Sequence, residues 1–235
     1  MIKKILIDQK GNKYYWTGLD LHTPLGVIKS KDVQSGLVKS HQGKVFYCYD
    51  AQFVDKFAKI QRGGPAIPVP KEVGMIIVRT GINKNSKIVD AGTGCGVLAS
   101  YLANVSDNVV SYERKKDFYK LAKKNIDFLG VDVKQKLKDI YEGIEEKNLD
   151  LVVLDLPEPW NVLGHAYKAL KSGGFLVCYL PNVTQVSKVI SELDGFVQDG
   201  VIEVIEREWK VDGLVVRPRN IGLMHTAFLV FLRRL

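Results

Sequence analysis

The sequence predicts an α/β fold, in which a small N-terminal β domain precedes a mostly parallel seven-stranded sheet with an antiparallel C-terminal hairpin. Three observations favour it. From residue 86 onward, apolar runs alternate with amphipathic segments, as in parallel sheets whose strands are connected by helices. One apolar run ends in a glycine-rich turn that opens a helix. The last two β-rich runs, 201–211 and 225–233, have no helix between them, so they most simply pair antiparallel at the sheet edge.

The N-terminal part of the chain differs in pattern from the rest. Short β-rich runs separated by turn residues predict a small barrel or meander through about residue 50, with a hairpin around Gly11-Asn12. A glycine- and proline-rich stretch, 61–70, breaks regular structure. We therefore divide the chain into a β-rich domain, 1–65, and an α/β domain, 66–235.

The charge of the chain is unevenly distributed. Residues 1–65 contain 11 Lys and Arg against 5 Asp and Glu, whereas the other 170 residues contain 23 against 21. A basic domain joined to a nearly neutral one is typical of an appendage that binds a polyanion such as RNA. Charge alone leaves the alternative, a lysine-rich solvated face, equally open.

Composition excludes several classes of protein. The chain has 235 residues, 46% of them hydrophobic, but no run of about 18 apolar residues that could span a membrane. Its first residues lack the apolar core and cleavage site of a signal peptide, so we expect a cytoplasmic protein. Cys48, Cys95 and Cys178 lie far apart and form no C-x-x-C pair, which argues against a disulfide framework and a zinc site.

The α/β domain begins with a predicted helix, 71–81, that ends at Gly81. The predicted strands are 87–91, 109–113, 131–137, 149–155 and 174–180, and the predicted helices lie near 97–104, 115–129, 161–171 and 183–194. Ligands of such sheets bind at the carboxyl ends of the strands, so the residues that follow each strand are the candidates for a site.

The glycine-rich turn follows the first strand, in the run Asp90-Ala91-Gly92-Thr93-Gly94-Cys95-Gly96-Val97. Its three glycines let the backbone turn sharply and approach a ligand closely, and the helix after them offers free N–H groups. A dinucleotide-binding fingerprint would need a glycine where Val97 stands. Asp90 would repel a pyrophosphate but suits the sulfonium and ammonium groups of S-adenosylmethionine (AdoMet). We therefore predict that Gly92 to Val97 bind AdoMet.

Acidic residues follow the second and third strands. Glu113 ends the second strand, where a carboxylate can accept both hydroxyls of an adenosine ribose. The alternative is a surface glutamate that caps the next helix. Asp139 follows the third strand and can accept from the adenine amino group, although Asp after a strand is also a common helix N-cap.

The loop after the fourth strand carries a second strong signal. An apolar strand delivers Asp155 to the carboxyl edge of the sheet, and the run Leu156-Pro157-Glu158-Pro159-Trp160 follows it. Two prolines stiffen this loop, so it can hold a carboxylate and an aromatic ring in a fixed geometry. We predict that Asp155 also contacts AdoMet. The alternative is a rigid loop with a solvated Asp155.

Together these motifs resemble the tRNA (adenine-58-N1)-methyltransferase family, and its archaeal branch in particular. The likeness covers essentially the whole chain, and its motifs are residues 90–96, Tyr112-Glu113, 139–143, 155–160, Gln185-Val186 and 225–228. Pro70-Lys71-Glu72 is similar to the Pro-Lys-Asp of that family. The chain departs from the family at Cys95, where serine is usual, at Asp90, where glutamate is common, and in residues 63–69, which lack the usual Gln and Tyr.

The resemblance implies a Rossmann-like class I AdoMet-dependent methyltransferase. Its implied reaction transfers a methyl group from AdoMet to N1 of the T-loop adenine at position 58 of tRNA. Some archaeal members also modify the adenine at position 57. A homotetramer is implied as well.

The residue roles follow from this reaction. The target base must leave its stack, and a carboxylate at Asp155 can accept from the adenine N6 amino group and favour the cation formed by N1-methylation. The candidates for the base pocket, each more often a core residue, are Trp160, Tyr167, Tyr179 and Met224. The candidates for phosphate contacts, with a solvated loop as the alternative, are Arg217, Arg219 and His225.

Two other functions stay open at this point. One is a class I methyltransferase acting on isoaspartyl groups of proteins or on a small molecule, which the basic N-terminal domain and the loop from Asp155 to Trp160 argue against. The other is a non-catalytic tRNA-binding subunit. Such a subunit would be expected to have lost the glycine loop or Glu113, and both are intact.

Overall fold

The computed structural model describes residues 2–63, 68–220 and 225–235. The chain divides into two compact units, Met1–Ile60 and Gln61–Leu235. This division lies five residues before the predicted boundary between residues 65 and 66. Gln61 is tied to the second unit because the Asn125 side chain accepts from its backbone N–H (2.9 Å) and donates to its carbonyl oxygen (2.8 Å).

The first unit is built from antiparallel strands. In chain order its elements are β1 (Lys4–Asp8), β2 (Lys13–Trp16), β3 (Leu21–Thr23), β4 (Gly26–Ile28), β5 (Gly36–Lys39), β6 (Val45–Asp50) and the helix α1 (Phe53–Phe57). Four strands form a sheet in the order β2-β1-β6-β5, and β3 pairs with β4. The hairpin around Gly11-Asn12 is confirmed, since β1 pairs with β2. Leu6, Val38 and Phe46 form part of a core inside this unit.

The second unit contains nine strands and five helices within the described residues. The strands are β7 (Lys87–Ala91), β8 (Asn108–Tyr112), β9 (Lys134–Lys136), β10 (Leu149–Leu154), β11 (Leu170–Leu180), β12 (Phe196–Glu203), β13 (Trp209–Asp212), β14 (Val215–Pro218) and β15 (Phe228–Arg234). The helices are α2 (Pro70–Thr80), α3 (Val97–Ala103), α4 (Lys116–Leu129), α5 (Leu163–Ala169) and α6 (Val183–Ser191). Seven strands form one sheet in the order β12-β15-β11-β10-β7-β8-β9, which confirms the predicted α/β fold.

The antiparallel strand of this sheet is β15. It pairs antiparallel with both β11 and β12, and the remaining neighbours are parallel. The predicted pairing of the last two strands of the sheet is confirmed, but the predicted strand 201–211 is wrong in extent. Strand β12 starts at Phe196 and ends at Glu203, and residues 209–218 form a separate hairpin, β13 with β14. Gly213 allows this hairpin to turn, because its φ of +56° is a left-handed conformation.

The core of the second unit lies on both faces of the sheet. Alternate residues of β10 point to opposite faces, so Val152 and Leu154 belong to one buried cluster and Leu151 and Val153 to the other. Helices α5 and α6 contribute to the first cluster, and α2 and α3 contribute to the second. A strand that is buried on both faces needs a continuous run of apolar residues. The run Leu151–Leu154 therefore predicted strand β10 from the sequence.

The strand order brings the predicted site residues to one edge. Strand β7 lies between β10 and β8, and all three are parallel, so their carboxyl ends meet. In the part of the chain described here, no helix is long and apolar enough to cross a lipid bilayer.

Candidate active site

A cavity of about 420 Å³ opens at the carboxyl edge of the sheet. Its walls come from the loops that follow β7, β8, β9, β10 and β11. The lining residues include all but one of the residues predicted to bind AdoMet, namely Gly92, Thr93, Gly94, Cys95, Val97, Glu113, Asp139 and Asp155. A cavity of this volume is of the size that binds small molecules and cofactors.

Gly92 makes the closest backbone contact in the site. Its φ is +86°, and a Cβ atom built on it would lie 2.1 Å from the backbone oxygen of Asp155. The Asp155 N–H in turn donates to the Ala91 carbonyl at 2.9 Å. Only glycine allows this approach, so the glycine loop and the loop that carries Asp155 are fixed to each other.

Glu113 holds the glycine loop through its carboxylate. Its Oε2 accepts from the backbone N–H of Gly94 at 3.0 Å, and its Oε1 accepts from the backbone N–H of Lys115 at 2.8 Å. The side chain is nearly buried yet lines the cavity. A carboxylate has about four acceptor positions, so two remain for the hydroxyls of a ribose.

Asp139 caps a short 3₁₀ helix, Ile140–Glu142. Its Oδ1 accepts from the backbone N–H of Tyr141 at 3.0 Å, and its Oδ2 accepts from the Arg114 guanidinium at 3.2 Å. The N-cap alternative raised by the sequence is therefore the observed local role. Asp139 also lines the cavity, so the predicted contact with adenine stays a prediction.

A buried acid lies behind the glycine loop. Asp90 is fully buried, and its Oδ2 accepts from the Ser111 hydroxyl at 2.5 Å. Burial raises the pKa of Asp90 to about 7, with a further increase from the charge of Glu113, while the Ser111 hydrogen bond lowers it. Asp90 is not among the residues that line the cavity, so its carboxyl can affect a ligand there only through its electrostatic field, without direct contact.

Asp155 is the acid that faces the cavity. Burial raises its pKa to about 7, and the charge of Asp90 adds to the increase. Asp155 and Asp90 are thus two acids whose charges repel each other in a poorly solvated region. A group with such a shifted pKa in a cleft is a candidate for catalysis.

Gly96 and Cys95 both lie against helix α4. Gly96 is the AdoMet-loop residue that does not line the cavity, and a Cβ built on it would lie 3.3 Å from Ala122 in α4. The Cys95 carbonyl accepts from the Asn125 side chain at 2.8 Å, and burial raises the pKa of the Cys95 thiol.

The residues predicted to bind the substrate lie outside the cavity lining. Trp160 packs against a core cluster. On the hairpin of β13 and β14, Arg217 donates to the Pro218 carbonyl at 3.4 Å, and Arg219 pairs with Glu208 at 3.3 Å. The ring nitrogens of His225 face protein acceptors. Their roles toward a substrate stay predictions.

Two of the aromatic candidates for the base pocket pack in or against the core, which was the alternative given for them, and a third candidate, Met224, lies outside the described residues. Tyr167 packs edge-on against Phe196 with ring centroids 5.9 Å apart. Tyr179 is buried in a core cluster, and burial raises its pKa, as do the charges of Glu72 and Asp155. Met224 and residues 64–67 lie outside the described residues.

Sequence reasoning missed part of the cavity wall. Phe118 and Pro181 line it, as do Tyr141 and Gln185, which were noted only for the resemblance. Pro181 could have been found, because it follows the carboxyl end of a parallel strand. Among the described residues, no cluster of His, Cys, Asp and Glu could hold a metal ion.

Comparison with known proteins identifies the family. Residues 66–227 match the sequence profile of the family described as "tRNA methyltransferase complex GCD14 subunit". The chain belongs to this family.

Full-length relatives agree with this membership. The chain is 34% identical to the tRNA (adenine(57)-N(1)/adenine(58)-N(1))-methyltransferase TrmI of Methanocaldococcus jannaschii, over 98% of this chain and 94% of that one. It is 36% identical to the tRNA (adenine(58)-N(1))-methyltransferase TrmI of Thermus thermophilus, over 85% of this chain and 81% of that one.

A solved structure shares the fold over nearly the whole chain. It is a SAM-dependent O-methyltransferase from Thermotoga maritima, 28% identical, with a TM-score of 0.85 over 99% of this chain and 92% of that one. The similarity confirms the predicted Rossmann-like methyltransferase fold.

The contact at Gly92 predicts a large loss of stability in Gly92→Ala. The added methyl group would force apart the two loops of the site, in addition to the strain of a left-handed alanine, so the free energy of unfolding should fall by about 3 kcal/mol or more. Gly81→Ala is the matched control, because Gly81 has a φ of +63° and open space around it. It should cost only about 1 kcal/mol. Equal losses in urea unfolding would contradict the contact.

Proposed function

We propose that this chain is a cytoplasmic AdoMet-dependent tRNA methyltransferase that modifies N1 of the T-loop adenine at position 58, with position 57 as a second target to be tested. The observation that carries the proposal is the half-buried Asp155 carboxyl, which faces a cavity between the glycine loop and the acidic residues after β8 and β9. Family membership and the TrmI relatives support the substrate class.

The cavity fits AdoMet in size and in donor set. Glu113 keeps free acceptor positions for the ribose hydroxyls. Asp139 lines the cavity and is proposed to accept from the adenine amino group, and the glycine loop lets the backbone approach the ligand closely. AdoMet, when bound, supplies an electrophilic methyl group on a positively charged sulfur. The three acids at this edge, Asp90, Glu113 and Asp155, favour such a cation electrostatically.

Asp155 is the residue proposed to act on the target base. Its ionised carboxylate accepts from the N6 amino group of adenine, which orients the base and increases electron density at N1. The reaction turns a neutral adenine into a cation, so a fixed negative charge stabilises the transition state more than the substrate. This mechanism needs positioning and electrostatics, and no covalent intermediate.

Asp155→Asn should reduce methyl transfer at least about a hundredfold, the scale of losing one preorganised electrostatic group. The amide keeps the size of the side chain but removes the charge. AdoMet affinity measured by calorimetry should therefore fall, but by much less than the methyl-transfer rate, because Glu113 and the glycine loop are unchanged. Asp132→Asn, which removes an exposed carboxyl outside the cavity, is the control. The assay uses labelled AdoMet and unmodified tRNA, followed by digestion and identification of the methylated nucleoside. Near-normal turnover in Asp155→Asn, or a product other than N1-methyladenosine, would contradict the assignment.

The basic first unit is proposed to hold the tRNA backbone. Lys31, Lys39 and Lys44 are exposed there. Lys29 is paired with Asp20 at 2.9 Å and is less available to a phosphate. Because each neutralised phosphate releases counterions, binding through such lysines has to weaken with salt.

Replacing Lys31, Lys39 and Lys44 with Ala should lower tRNA affinity and reduce the slope of log K against log salt by up to about 3. Affinity for AdoMet is the internal control, because every residue that lines the cavity belongs to the second unit. An unchanged affinity and slope would mean that these lysines form a solvated face only.

The hairpin of β13 and β14 supports the proposed homo-oligomer, a tetramer by family resemblance. Trp209, Val211 and Val216 lie on one face of this ribbon and are 54%, 72% and 60% exposed. The opposite face carries Lys210 and Arg217. An isolated two-stranded hairpin is only marginally stable in water, and an exposed apolar face is typical of a protein–protein interface. We propose that a second copy of the chain packs against this face.

Val211→Thr together with Val216→Thr should reduce the size of the assembly measured by light scattering at micromolar concentration. Threonine keeps the preference for a strand but removes the apolar contact. The matched control is Lys210→Thr with Arg217→Thr, a cross-strand pair on the opposite face. An unchanged assembly in the valine variant would rule out this face as the interface.

A further inference from the structure

His225 lies just before β15, and both of its ring nitrogens face protein acceptors. Its Nδ1 is 2.5 Å from Glu203 Oε1, and its Nε2 is 2.9 Å from the Pro181 carbonyl oxygen. A carbonyl oxygen and an ionised carboxylate only accept hydrogen bonds, so both nitrogens must carry a hydrogen. The geometry therefore favours the charged imidazolium form of His225.

The surroundings of His225 favour this charge. The hydrogen bond to Pro181 and then the Glu203 carboxylate raise the pKa of His225 above its ordinary value of 6.5, while partial burial and the charge of Lys71 oppose the increase. Within the described residues, the charged groups around the ring are Glu203 at the end of β12 and Lys71 at the start of α2. The Phe228 ring packs against it with centroids 4.8 Å apart.

The segment that His225 holds is part of the cavity wall. Pro181 lines the cavity and lies between β11 and α6. The next residue, Asn182, caps α6 in a reciprocal capping box with Gln185. Gln185 donates to the Pro157 carbonyl at 2.8 Å, and Pro157 lies two residues after Asp155. This wall is thus held by His225 on one side and bound to the Asp155 loop on the other.

We propose that His225 is a positioning residue, which as an imidazolium clamps the Pro181 segment and so fixes the wall that supports the Asp155 loop. This inference rests on the proposed methyl transfer. It is an alternative to the predicted phosphate contact, which stays a prediction, because both ring nitrogens already have acceptors within the protein.

The clamp predicts a pH dependence with a definite sign. When His225 loses its proton, one of its two hydrogen bonds is lost, so the clamp is present below its pKa and weakens as pH rises through it. Asp155 has the opposite effect, because its carboxyl must be ionised to act. The methyl-transfer rate should therefore rise with pH as Asp155 ionises and decline again as His225 is deprotonated.

His225→Gln should lower kcat/KM for tRNA roughly tenfold near neutral pH and remove the decline at high pH, while the rise at low pH remains. Glu203→Gln should move the decline to lower pH, because the carboxylate favours the imidazolium. Glu206→Gln removes an exposed carboxyl three residues away and should leave the profile unchanged. AdoMet affinity and thermal unfolding check that each variant is folded.

A titration of the histidine ring signals by NMR tests the clamp without any activity assay. The chain has four histidines, and the signal of His225 is assigned by its absence in His225→Gln. It should titrate above 6.5 in the wild-type chain and lower in Glu203→Gln. A His225 pKa at or below 6.5, or a wild-type pH profile in His225→Gln, would overturn the proposal. A wild-type chain that methylates no tRNA would instead refute the proposed function and leave the titration to decide the clamp.

Discussion

The site depends on one backbone contact, the approach of Gly92 to the carbonyl of Asp155. Strands β7 and β10 are parallel neighbours, with Ala91 paired to Leu154, so their loops leave the sheet side by side. Any side chain at position 92 would separate them, since a Cβ atom would lie 2.1 Å from the Asp155 oxygen. This contact makes the cofactor loop and the proposed catalytic acid parts of one rigid unit.

The acids at the sheet edge differ in role because their hydrogen-bond partners differ. Glu113 accepts from two backbone N–H groups, which suits an ionised carboxylate. Burial dominates at Asp90 and Asp155 and raises both pKa values to about 7. A cationic ligand in the cavity would favour the ionised form of both, so binding of AdoMet would help prepare Asp155 for the base.

The other side of the cavity is organised by the insertion of β15 between β11 and β12. This order places His225, three residues before β15, beside the end of β12 and beside the turn after β11. It also brings Thr226 to the Lys71 and Glu72 side chains at the start of α2. Lys71 and Glu72 of the Pro-Lys-Glu motif therefore contact the residues before the last strand, and Glu72 is fully buried, whereas Pro70 is exposed.

Much of the fold and part of the site were determined by the sequence itself. The alternation of strands and helices, the glycine loop, Glu113 and Asp155 were readable because each is a local pattern tied to the end of a strand. The tertiary structure alone decided the separate hairpin of β13 and β14 and the surroundings of Arg219 and His225. Their partners lie 11 to 44 residues away in the chain. The hairpin of β13 and β14 brings Arg219 to Glu208, and the strand order of the large sheet brings His225 to its partners. Local periodicity carries no information about either pairing.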